Sequence, residues 1–479
     1  MYEKGLFELV ETKHETHHEA PKARMQVKYP YLAMMGLYLG GFTGMYSETT
    51  LNIALPSISV QLGVDVSLTQ WLVVGYMLVI GLIMPFASLL SKWFSARSVT
   101  AFALCVFAIG AVISGLAPGF ALVLVGRALQ GIGTGLVLPL MFSMILEVIP
   151  PHRIGAAMGL NALIIMGASA IGPTLAGFLI GSFSWRAIFT SFVVVLIVAL
   201  AMELKFGVNP YELTKPSVDL ISVVTSCFGF GGIVFAAGVA SMFGWVSAPV
   251  LAGLAIGIVC LVIYVRRQMG MEAPVINMQI FRQSGYAVGT LCVTLNFGIT
   301  LAAMFILPQF YQNALGLSAT AAGALMLPAG IVNMVVSVAA GNLFDKVGAR
   351  IPAIAGFALS VCALIGLISV SVDAPVALVV ACHVLLMIGV PLAMSPAQTY
   401  ALSSLPPQLS TDGSAMLNTL QQVFGAIATA LATFLLATGQ AFAGGQGAAA
   451  FAMGSHFGFA LALVFAAAAL VIATRIKAR

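Results

Sequence analysis

Charged residues are scarce in this sequence of 479 residues. Only 7% of the chain is Asp, Glu, Lys or Arg, whereas roughly a quarter of a soluble globular domain is charged. Hydrophobic residues make up 61% of the chain. Apolar runs of about 20 residues, enough to cross the hydrocarbon core of a bilayer, recur along nearly its whole length. The sequence therefore predicts an all-α polytopic membrane protein without a separate soluble domain.

Motifs of catalysis and nucleotide binding are lacking as well. The sequence contains no H-E-x-x-H, no G-x-S-x-G and no phosphate-cradling loop, which are signatures of zinc peptidases, serine hydrolases and nucleotide-binding proteins. The six cysteines all lie in apolar runs, where cysteine packs as a small hydrophobe. We expect no enzyme, no cofactor, no metal site, no disulfide and no use of ATP as the energy source.

The first 28 residues are polar and rich in Glu, Lys and His. No apolar core follows a basic start, so this segment does not have the pattern of a signal peptide. We expect residues 1–28 to form a cytoplasmic N-terminal segment, either a short helix on the inner leaflet or a disordered tail.

Fourteen apolar spans lie between charged residues or Pro and Gly breaks. The predicted spans are residues 30–56, 70–91, 98–117, 120–149, 155–183, 186–205, 217–241, 248–266, 286–311, 318–342, 350–371, 376–401, 413–438 and 454–474. An even number places both ends of the chain on the same side of the membrane. Asp219, near the start of span 7, is a predicted helix N-cap.

The basic residues test this count, because Lys and Arg concentrate in short cytoplasmic loops. Of the 20 basic residues, the count places about 18 on the side of the two termini. Arg186 alone falls on the opposite side, and Arg127 falls within span 4. The distribution predicts a membrane protein with both termini in the cytoplasm. The net charge of +5 is then a topology signal rather than a sign of nucleic-acid binding.

Three pairs of segments recur in the same order at nearly constant separation. They are ASLLSKWFSAR from Ala87 with GNLFDKVGAR from Gly341, Pro150-Pro151 with Pro406-Pro407, and GAAMGLN from Gly155 with GSAMLNT from Gly413. The alternative is chance similarity among Gly- and Ala-rich helices. The repeat relates spans 2–5 to spans 10–13, a plan common among secondary transporters.

The repeat predicts a domain organisation. A six-helix bundle would occupy residues 29–205, two inserted helices with their loops 206–285, a second six-helix bundle 286–474, and a cytoplasmic tail 475–479. Substrate sites in such proteins lie between the two halves near the bilayer midplane.

Two charged residues, Glu48 and Arg127, lie well away from the ends of predicted spans, and intramembrane charges are expensive enough to suggest function. Glu48 lies 17 residues after Tyr31, which predicts a position past the midplane, with Asn52 on the same helix face. A buried carboxylate can hold a proton or a cationic substrate but not both. The alternative is a solvated helix-end residue in an outer vestibule. Arg127 is either an element of proton coupling or a clamp between spans, bound to backbone carbonyls or paired with a carboxylate such as Glu48.

Three segments carry patterns typical of one transporter family. Span 4 holds R-x-x-Q-G-x-G, span 5 holds G-x-x-x-x-G-P-x-x-x-G, and the connection after span 10 holds G-x-L-x-D-K-x-G-x-R. The matching residues are Arg127, Gln130, Gly131 and Gly133; Gly167, Gly172, Pro173 and Gly177; and Gly341, Leu343, Asp345, Gly348 and Arg350. The chain resembles the major facilitator superfamily, specifically its fourteen-span drug:proton antiporters and the lincomycin-resistance-type multidrug exporters among them.

The resemblance implies a major facilitator fold with 14 transmembrane helices, as two six-helix bundles plus two inserted helices. Gly167, Gly172, Pro173 and Gly177 are then the antiporter motif, which would form a tight, bent helix between the halves. Gly341, Asp345, Gly348 and Arg350 would form a gating loop, in which the aspartate is either part of a charged latch or the cap of a turn. The copy of this loop after span 2 lacks its aspartate and one glycine.

Span 1 departs from the family pattern L-D-x-T-I-V-N-V-A-L-P. Alignment from Pro56 backwards places Ser47 at the aspartate and Glu48 one residue later. One residue corresponds to about 100° around a helix. The family resemblance makes Glu48, Arg127, Asn52 and Gln130 the candidates for proton coupling or substrate binding.

Further polar side chains are scattered through the spans and could line a cavity. They are Asn161, Asn296, Gln309, Asn333, Gln398, Asn418, Gln421 and Gln422. The favoured hypothesis is a monomeric proton antiporter that exports lipophilic, cationic or amphipathic drugs by alternating access. The alternatives are an exporter or importer of a specific metabolite or lipid-like compound and, more remotely, a membrane-embedded enzyme. The expected partners are a drug-like substrate, protons and the lipid bilayer, and not nucleic acid.

Overall fold

The computed structural model describes residues 27–150, 153–210, 213, 219–271, 274, 277–406, 409–445 and 447–477, apart from some side chains within helices. Over these residues, fourteen long helices match the fourteen predicted spans. Their bounds are α1 Met35–Leu62, α2 Trp71–Trp93, α3 Ala96–Leu116, α4 Phe120–Val148, α5 Ile154–Ser182, α6 Arg186–Phe206, α7 Leu220–Phe243, α8 Ala248–Gly270, α9 Ser284–Gln309, α10 Ala319–Val347, α11 Arg350–Ser369, α12 Val376–Ser403, α13 Ser410–Phe442 and α14 Ala448–Ala473. The predicted all-α polytopic fold is confirmed. Most of the predicted cytoplasmic segment 1–28 lies outside the described residues.

Length and composition allow most of these helices to cross a membrane. Over the described residues, 12 helices meet both requirements, and α2 has a shorter apolar part, Trp71–Met84. The remaining long helix is α1, which carries five polar side chains between Ser47 and Asn52. The helix that departs most from a plain hydrophobic span is therefore the one that contains Glu48.

Helix α1 is displaced along the chain from the predicted span 30–56. Pro56 lies inside it, because a proline removes one helical hydrogen bond without necessarily ending the helix. The helix ends only at Gly63, whose φ of 63° lies in the left-handed region. Glu48 is consequently at the centre of α1. Its predicted position past the bilayer midplane stays a prediction.

The helices pack as two six-helix groups, and a further pair of helices, which lies between the groups in the sequence, packs beside them. The first half contains α1–α6, the second half contains α9–α14, and α7 pairs with α8. The halves meet along two seams, where α5 packs on α10 and α2 packs on α13. Helix α7 also packs against α2 and α13, so the inserted pair lies beside the second seam.

The connection between α10 and α11 is much shorter than the predicted gating loop. Helix α10 continues to Val347, so Gly341 and Asp345 lie in its last turns. Gly348 ends the helix with a φ of 75°, and Arg350 is the first residue of α11. The predicted loop is thus reduced to two residues between two helices. The Asp345 side chain lies outside the described part of the structure, so its proposed latch stays a prediction.

Candidate functional site

Glu48 is buried at the centre of α1, with 1% of its surface exposed. Gln422, on α13 of the other half, is the neutral side chain that acts on its carboxylate from across the seam. Oε2 of Glu48 and Oε1 of Gln422 are both buried without a hydrogen-bond partner. The carboxylate therefore faces the second seam and meets a neutral amide across it. A solvated position in an outer vestibule is excluded.

Arg127 is fully buried on α4 and holds three helices together. Its Nε donates to the carbonyl oxygen of Leu72 at 2.9 Å, and its Nη1 donates to Ser47 Oγ at 2.5 Å and to Gln130 Oε1 at 2.7 Å. The guanidinium also stacks on the ring of Tyr76, 3.8 Å from the ring centre. These contacts connect α4 to both α1 and α2.

The alternative ion pair between Arg127 and Glu48 is not formed. The ion pair that the described residues contain joins Arg267 to Asp219, and Nη2 of Arg127 has no hydrogen-bond partner. Glu48 still acts on Arg127 through the electric field. Opposite charges attract one another across several ångströms in a low-dielectric interior. The two residues thus belong to one electrostatic cluster without touching.

Ser47 shows the structural effect of moving the acidic residue of span 1 by one position relative to the family pattern. It stands where the family pattern has aspartate, and its hydroxyl meets both Arg127 and Gln130. The carboxylate of Glu48, about 100° further around the helix, points to Gln422 instead. The shift moves the negative charge away from the arginine of the same half and towards the other half.

A hydrogen-bonded network extends from Arg127 and its partners to further polar groups of the first half. Gln130 Nε2 donates to Ser114 Oγ at 3.1 Å, which adds α3 to the cluster. The Tyr76 hydroxyl donates to the carbonyl oxygen of Gly44 at 2.9 Å and contacts Thr134 Oγ1 at 2.8 Å. Buried polar networks of this kind are rigid when their members are satisfied. The first half is therefore a preorganised unit around Arg127.

Asn52 lies one helical turn after Glu48 and has 3% of its surface exposed. Its Oδ1 has no hydrogen-bond partner. A buried amide oxygen without a partner is costly, so this atom is available to a substrate group that donates a hydrogen bond. The structure places Asn52 on the face of Glu48, as the sequence predicted.

The antiporter motif of α5 lies in the first seam, against α10. A Cβ atom at Gly177 would lie 2.5 Å from the carbonyl oxygen of Ala319, so only glycine allows this approach. The carbonyl oxygen of Gly177 accepts a hydrogen bond from Thr320 Oγ1 at 2.9 Å, and Thr174 Oγ1 donates to the carbonyl oxygen of Gly323 at 2.9 Å. These reciprocal bonds tie the halves together.

The other motif residues of α5 have different neighbours. Gly172 packs against Thr49 of α1, and the carbonyl oxygen of Pro173 lies against Gly323. Gly167 is less crowded, since a Cβ atom there would lie 3.8 Å from the sulfur of Met334. The motif therefore makes its tightest contacts at Gly172, against the centre of α1, and at Gly177, against the start of α10.

The second seam is closed in the same manner. Gln70, just before α2, donates from Nε2 to the carbonyl oxygen of Thr429 at 3.0 Å. Gln312, in the π-helical turn that follows α9, donates to the carbonyl oxygen of Ile53 at 3.3 Å. Both bonds join one half to the other. The bundle is therefore closed on the side where α1 and α5 end.

Two residues of the site, Gln422 and Tyr76, could not be assigned to it from the sequence. Gln422 was one of eight scattered polar residues, and the adjacent pair of glutamines, Gln421 and Gln422, was the signal that could have singled it out. Tyr76, the aromatic platform of Arg127, carried no signal, because tyrosine is common in membrane helices. By contrast, Asp219 caps α7 as predicted, accepting a hydrogen bond from the backbone NH of Ser222 at 3.2 Å.

Comparisons with known proteins agree with this architecture. The family model of the Major Facilitator Superfamily matches residues 37–429. Lincomycin resistance protein LmrB of Listeria monocytogenes is 39% identical over 411 residues, which are 86% of this chain and 87% of that protein. LmrB of Bacillus subtilis is 40% identical over 422 residues, 88% of each chain.

A solved structure supports the fold. A POT family transporter in complex with 5-aminolevulinic acid superposes with a TM-score of 0.70 at 13% identity, covering 94% of this chain and 96% of that one. This structure confirms the major facilitator fold, and the family model and the LmrB relatives confirm a transporter rather than an enzyme. With a matching family model over most of its length and relatives at about 40% identity, the chain belongs to the major facilitator superfamily, in the group of lincomycin-resistance-type transporters.

Proposed function

We propose that this transporter exports lipophilic, cationic or amphipathic drugs in exchange for protons. The observation that carries the proposal is the burial of Glu48 between the two halves, opposite a neutral amide and without an ion pair. An unpaired carboxylate is expensive to bury while it is ionised. A proton or a substrate cation relieves that cost, and each excludes the other.

The closed ends of the two seams support alternating access. Rocking of one half against the other would break the hydrogen bonds of Thr174 and Thr320 and expose Glu48 to the opposite side. The antiporter motif would limit leakage during this movement. The names of the relatives, lincomycin resistance proteins, support a drug as the cargo.

The proposal is tested in inverted membrane vesicles that contain the wild type or Glu48→Gln. A fluorescent lipophilic cation is followed under an imposed pH gradient. Glu147→Gln is the matched control, because Glu147 is an exposed glutamate near the end of α4. We expect Glu48→Gln to lose proton-driven uptake by at least about a hundredfold, comparable to the loss of one essential acid–base group, and Glu147→Gln to retain it. Equal uptake by all three proteins would refute a coupling role for Glu48.

The orientation proposed for this transporter places both termini in the cytoplasm of a bacterial cell. In a cysteine-free background, Phe183→Cys lies near Arg186 and Phe281→Cys lies near Arg282; both side chains are exposed. We expect a membrane-impermeant maleimide to label Phe183→Cys in intact cells and Phe281→Cys only after permeabilisation. The reverse pattern would overturn the orientation. A monomer is proposed as the functional unit.

A further inference from the structure

The inserted pair has a small hydrophobic core of its own, and one residue of the first half completes it. The buried members of this core, on α7 and α8, are Ala236, Val239, Ala240 and Val250. Trp245 and Leu254 of the inserted pair pack against them, and so does Trp71, the first residue of α2. The core therefore connects the inserted pair to a helix of the second seam.

Trp71 packs into a notch that a glycine leaves on α7. A Cβ atom at Gly238 would lie 2.5 Å from Cζ2 of the indole ring, well inside the optimal separation of about 3.5–4.0 Å between carbon atoms. The ring of Phe235 lies beside the notch, with 6.1 Å between its centre and that of the indole. Van der Waals packing supplies much of the attraction between helices in lipid, so a large ring on a bare backbone is a specific contact.

The notch lies next to a hydrogen bond that closes the second seam. Gln70, the residue before Trp71, donates from Nε2 to the carbonyl oxygen of Thr429 on α13. Gln70 and Trp71 thus meet the second half and the inserted pair on the side where the bundle is closed. A movement of α2 away from α13 would withdraw both residues together.

The inserted pair is fastened to the second half at both of its ends. On the closed side, the ring of Trp245 meets Phe434 of α13 edge to face, with 5.9 Å between the ring centres. At the other end, the backbone NH of Asn277, between α8 and α9, donates to Oδ2 of Asp412 near the start of α13 at 2.9 Å. These two contacts, far apart along one helix, hold the pair in a fixed orientation on the second half.

The fit between α7 and the first half is looser away from the notch. A Cβ atom at Gly231 would lie 3.7 Å from a Leu82 methyl group of α2, which is an ordinary van der Waals distance. Leu82 also lines a groove of about 550 Å³ together with residues of α7 and α8. At this level α2 can therefore move relative to α7 without breaking a tight contact.

We propose that the inserted pair moves with the second half and that Gly238 is a catch for Trp71 of the first half. The indole ring occupies the notch while the second seam is closed on this side, and it leaves the notch when the halves rock apart. The catch stabilises the closed arrangement and gives the inserted pair a bridging role. The inference rests on the rocking movement of the proposed function, but on neither its drug nor its proton.

Distances between spin labels show which half the inserted pair follows. Three exposed positions are labelled two at a time, in a cysteine-free background in lipid nanodiscs: Val60→Cys in the first half, Phe442→Cys in the second half and Leu251→Cys in the inserted pair. The distance from Val60 to Phe442 gives the ratio of closed to open molecules. We expect the distance from Leu251 to Phe442 to be equal in both states and that from Leu251 to Val60 to lengthen on opening. The reverse pattern would overturn the proposal.

A pair of glycine variants tests the notch. Gly238→Ala places a methyl group where the indole ring lies, and Gly231→Ala is the matched control, because both glycines lie within α7 and both changes favour the helix equally. Overpacking should lower the ratio of closed to open molecules by about five- to hundredfold in Gly238→Ala. The ratio should change by less than about twofold in Gly231→Ala. Equal losses in the two variants would contradict the catch.

Trp71→Ala removes the ring without any overpacking. It should lower the same ratio about fivefold, the effect of losing one aromatic contact. Adding Gly238→Ala to Trp71→Ala should change nothing further, because the new methyl group then has no ring to displace. The catch is wrong if the two effects multiply in the double variant, or if Trp71→Ala closes like the wild type.

The two proposals fail separately. If the vesicle assay shows no proton-driven drug transport but closure still depends on Trp71 and Gly238, the proposed function is wrong and the catch stands. If transport depends on Glu48 but closure is unchanged when the indole ring is removed, the catch is wrong and the proposed function stands.

Discussion

The two six-helix halves are related by the sequence repeat, but they differ in the charged residues that they carry. The shared packing is seen at one pair of glycines. Gly133 of α4 and Gly389 of α12 are separated by 256 residues, and both press against a neighbouring helix. A Cβ atom at Gly133 would lie 2.6 Å from the carbonyl oxygen of Ala103, and one at Gly389 would lie 2.5 Å from that of Gly356. The repeat seen in the sequence therefore also relates the packing of the halves.

The same separation places His383 where the first half has Arg127. For α1 and α9 the prolines inside the helices, Pro56 and Pro308, give a separation of 252 residues, which relates Glu48 to Thr300. The second half thus carries a hydroxyl and an imidazole where the first half carries a carboxylate and a guanidinium.

The contacts differ as much as the residue types do. Arg127 is held by three hydrogen bonds, whereas Nδ1 of the buried His383 has no partner. A network around a charged group is rigid and specific, and the second half has no equivalent of it at this position. The difference between the halves is this: the first half contains the charged groups of the candidate site, and the second half has neutral groups at the related positions.

The largest expected effect tests this difference directly. Arg127→Met should lower transport by at least about tenfold and should lower the melting temperature, because hydrogen bonds to charged groups contribute about 1.5–3 kcal/mol each. His383→Met, at the related position, should change transport by less than about twofold, since no hydrogen bond of Nδ1 is lost. Vesicle transport and thermal unfolding in detergent measure both variants. Equal losses would mean that the second half carries a comparable site.

The two seams differ in how closely the backbones approach, and a pair of glycine variants sharpens that contrast. At Gly177 the nearest atom to an added Cβ is a backbone oxygen at 2.5 Å, whereas at Gly81 it is a Val423 methyl group at 3.4 Å. Gly177→Ala must separate α5 from α10, and overpacking of this kind costs about 1–3 kcal/mol. We expect a five- to hundredfold loss of the closed state for Gly177→Ala and little change for Gly81→Ala. Spin-label distances across the seams provide the measurement, and equal effects would contradict the contrast.

The smallest effect concerns the inserted pair, which lies beside the halves. Asp219 binds Arg267 through both oxygens, at 2.6 and 2.8 Å. These contacts and the Ser222 hydrogen bonds hold the pKa of the Asp219 carboxyl well below its usual range. Because this pKa is lowered in the folded protein, the stabilisation is present above about pH 4, the usual aspartate value, and is lost as the pH falls below it.

Asp219→Asn should therefore lower the melting temperature slightly and equally between pH 5 and pH 8, with the difference shrinking in stronger acid. Transport should be unchanged, since α7 and α8 contribute nothing to the contacts around Glu48. Thermal unfolding across this pH range measures the effect. A transport defect would show that the inserted pair takes part in the cycle and does more than bridge the halves.

The sequence predicted the fold through features that are local or periodic. Apolar runs give the spans because a buried backbone in lipid must form helices, and the recurring prolines and glycines give the repeat. Boundaries were less accurate where a helix continues past a proline or a charge. Thus α1 extends beyond Pro56, and α10 extends through Asp345.

The candidate site was predictable only in part. A carboxylate and a guanidinium inside apolar spans can be recognised as candidate site residues from the sequence, because burying a charge in lipid is energetically costly. Their neighbours Ser47, Tyr76 and Gln422 cannot be recognised in this way, since many membrane helices contain serine, tyrosine and glutamine. The sequence left open whether Arg127 pairs with Glu48 or with neutral groups, and the packing of α1 against α4 decided for neutral groups.

By itself, the sequence determined that this protein is a fourteen-helix membrane transporter with a carboxylate inside its first long helix. Hydropathy and short motifs carry that information because each depends on neighbouring residues. Only the tertiary structure decided that Glu48 faces the other half, opposite a residue 374 positions away along the chain. The rotation of a helix about its axis is set by packing against its neighbours, and a turn of about 100° per residue makes that rotation decisive.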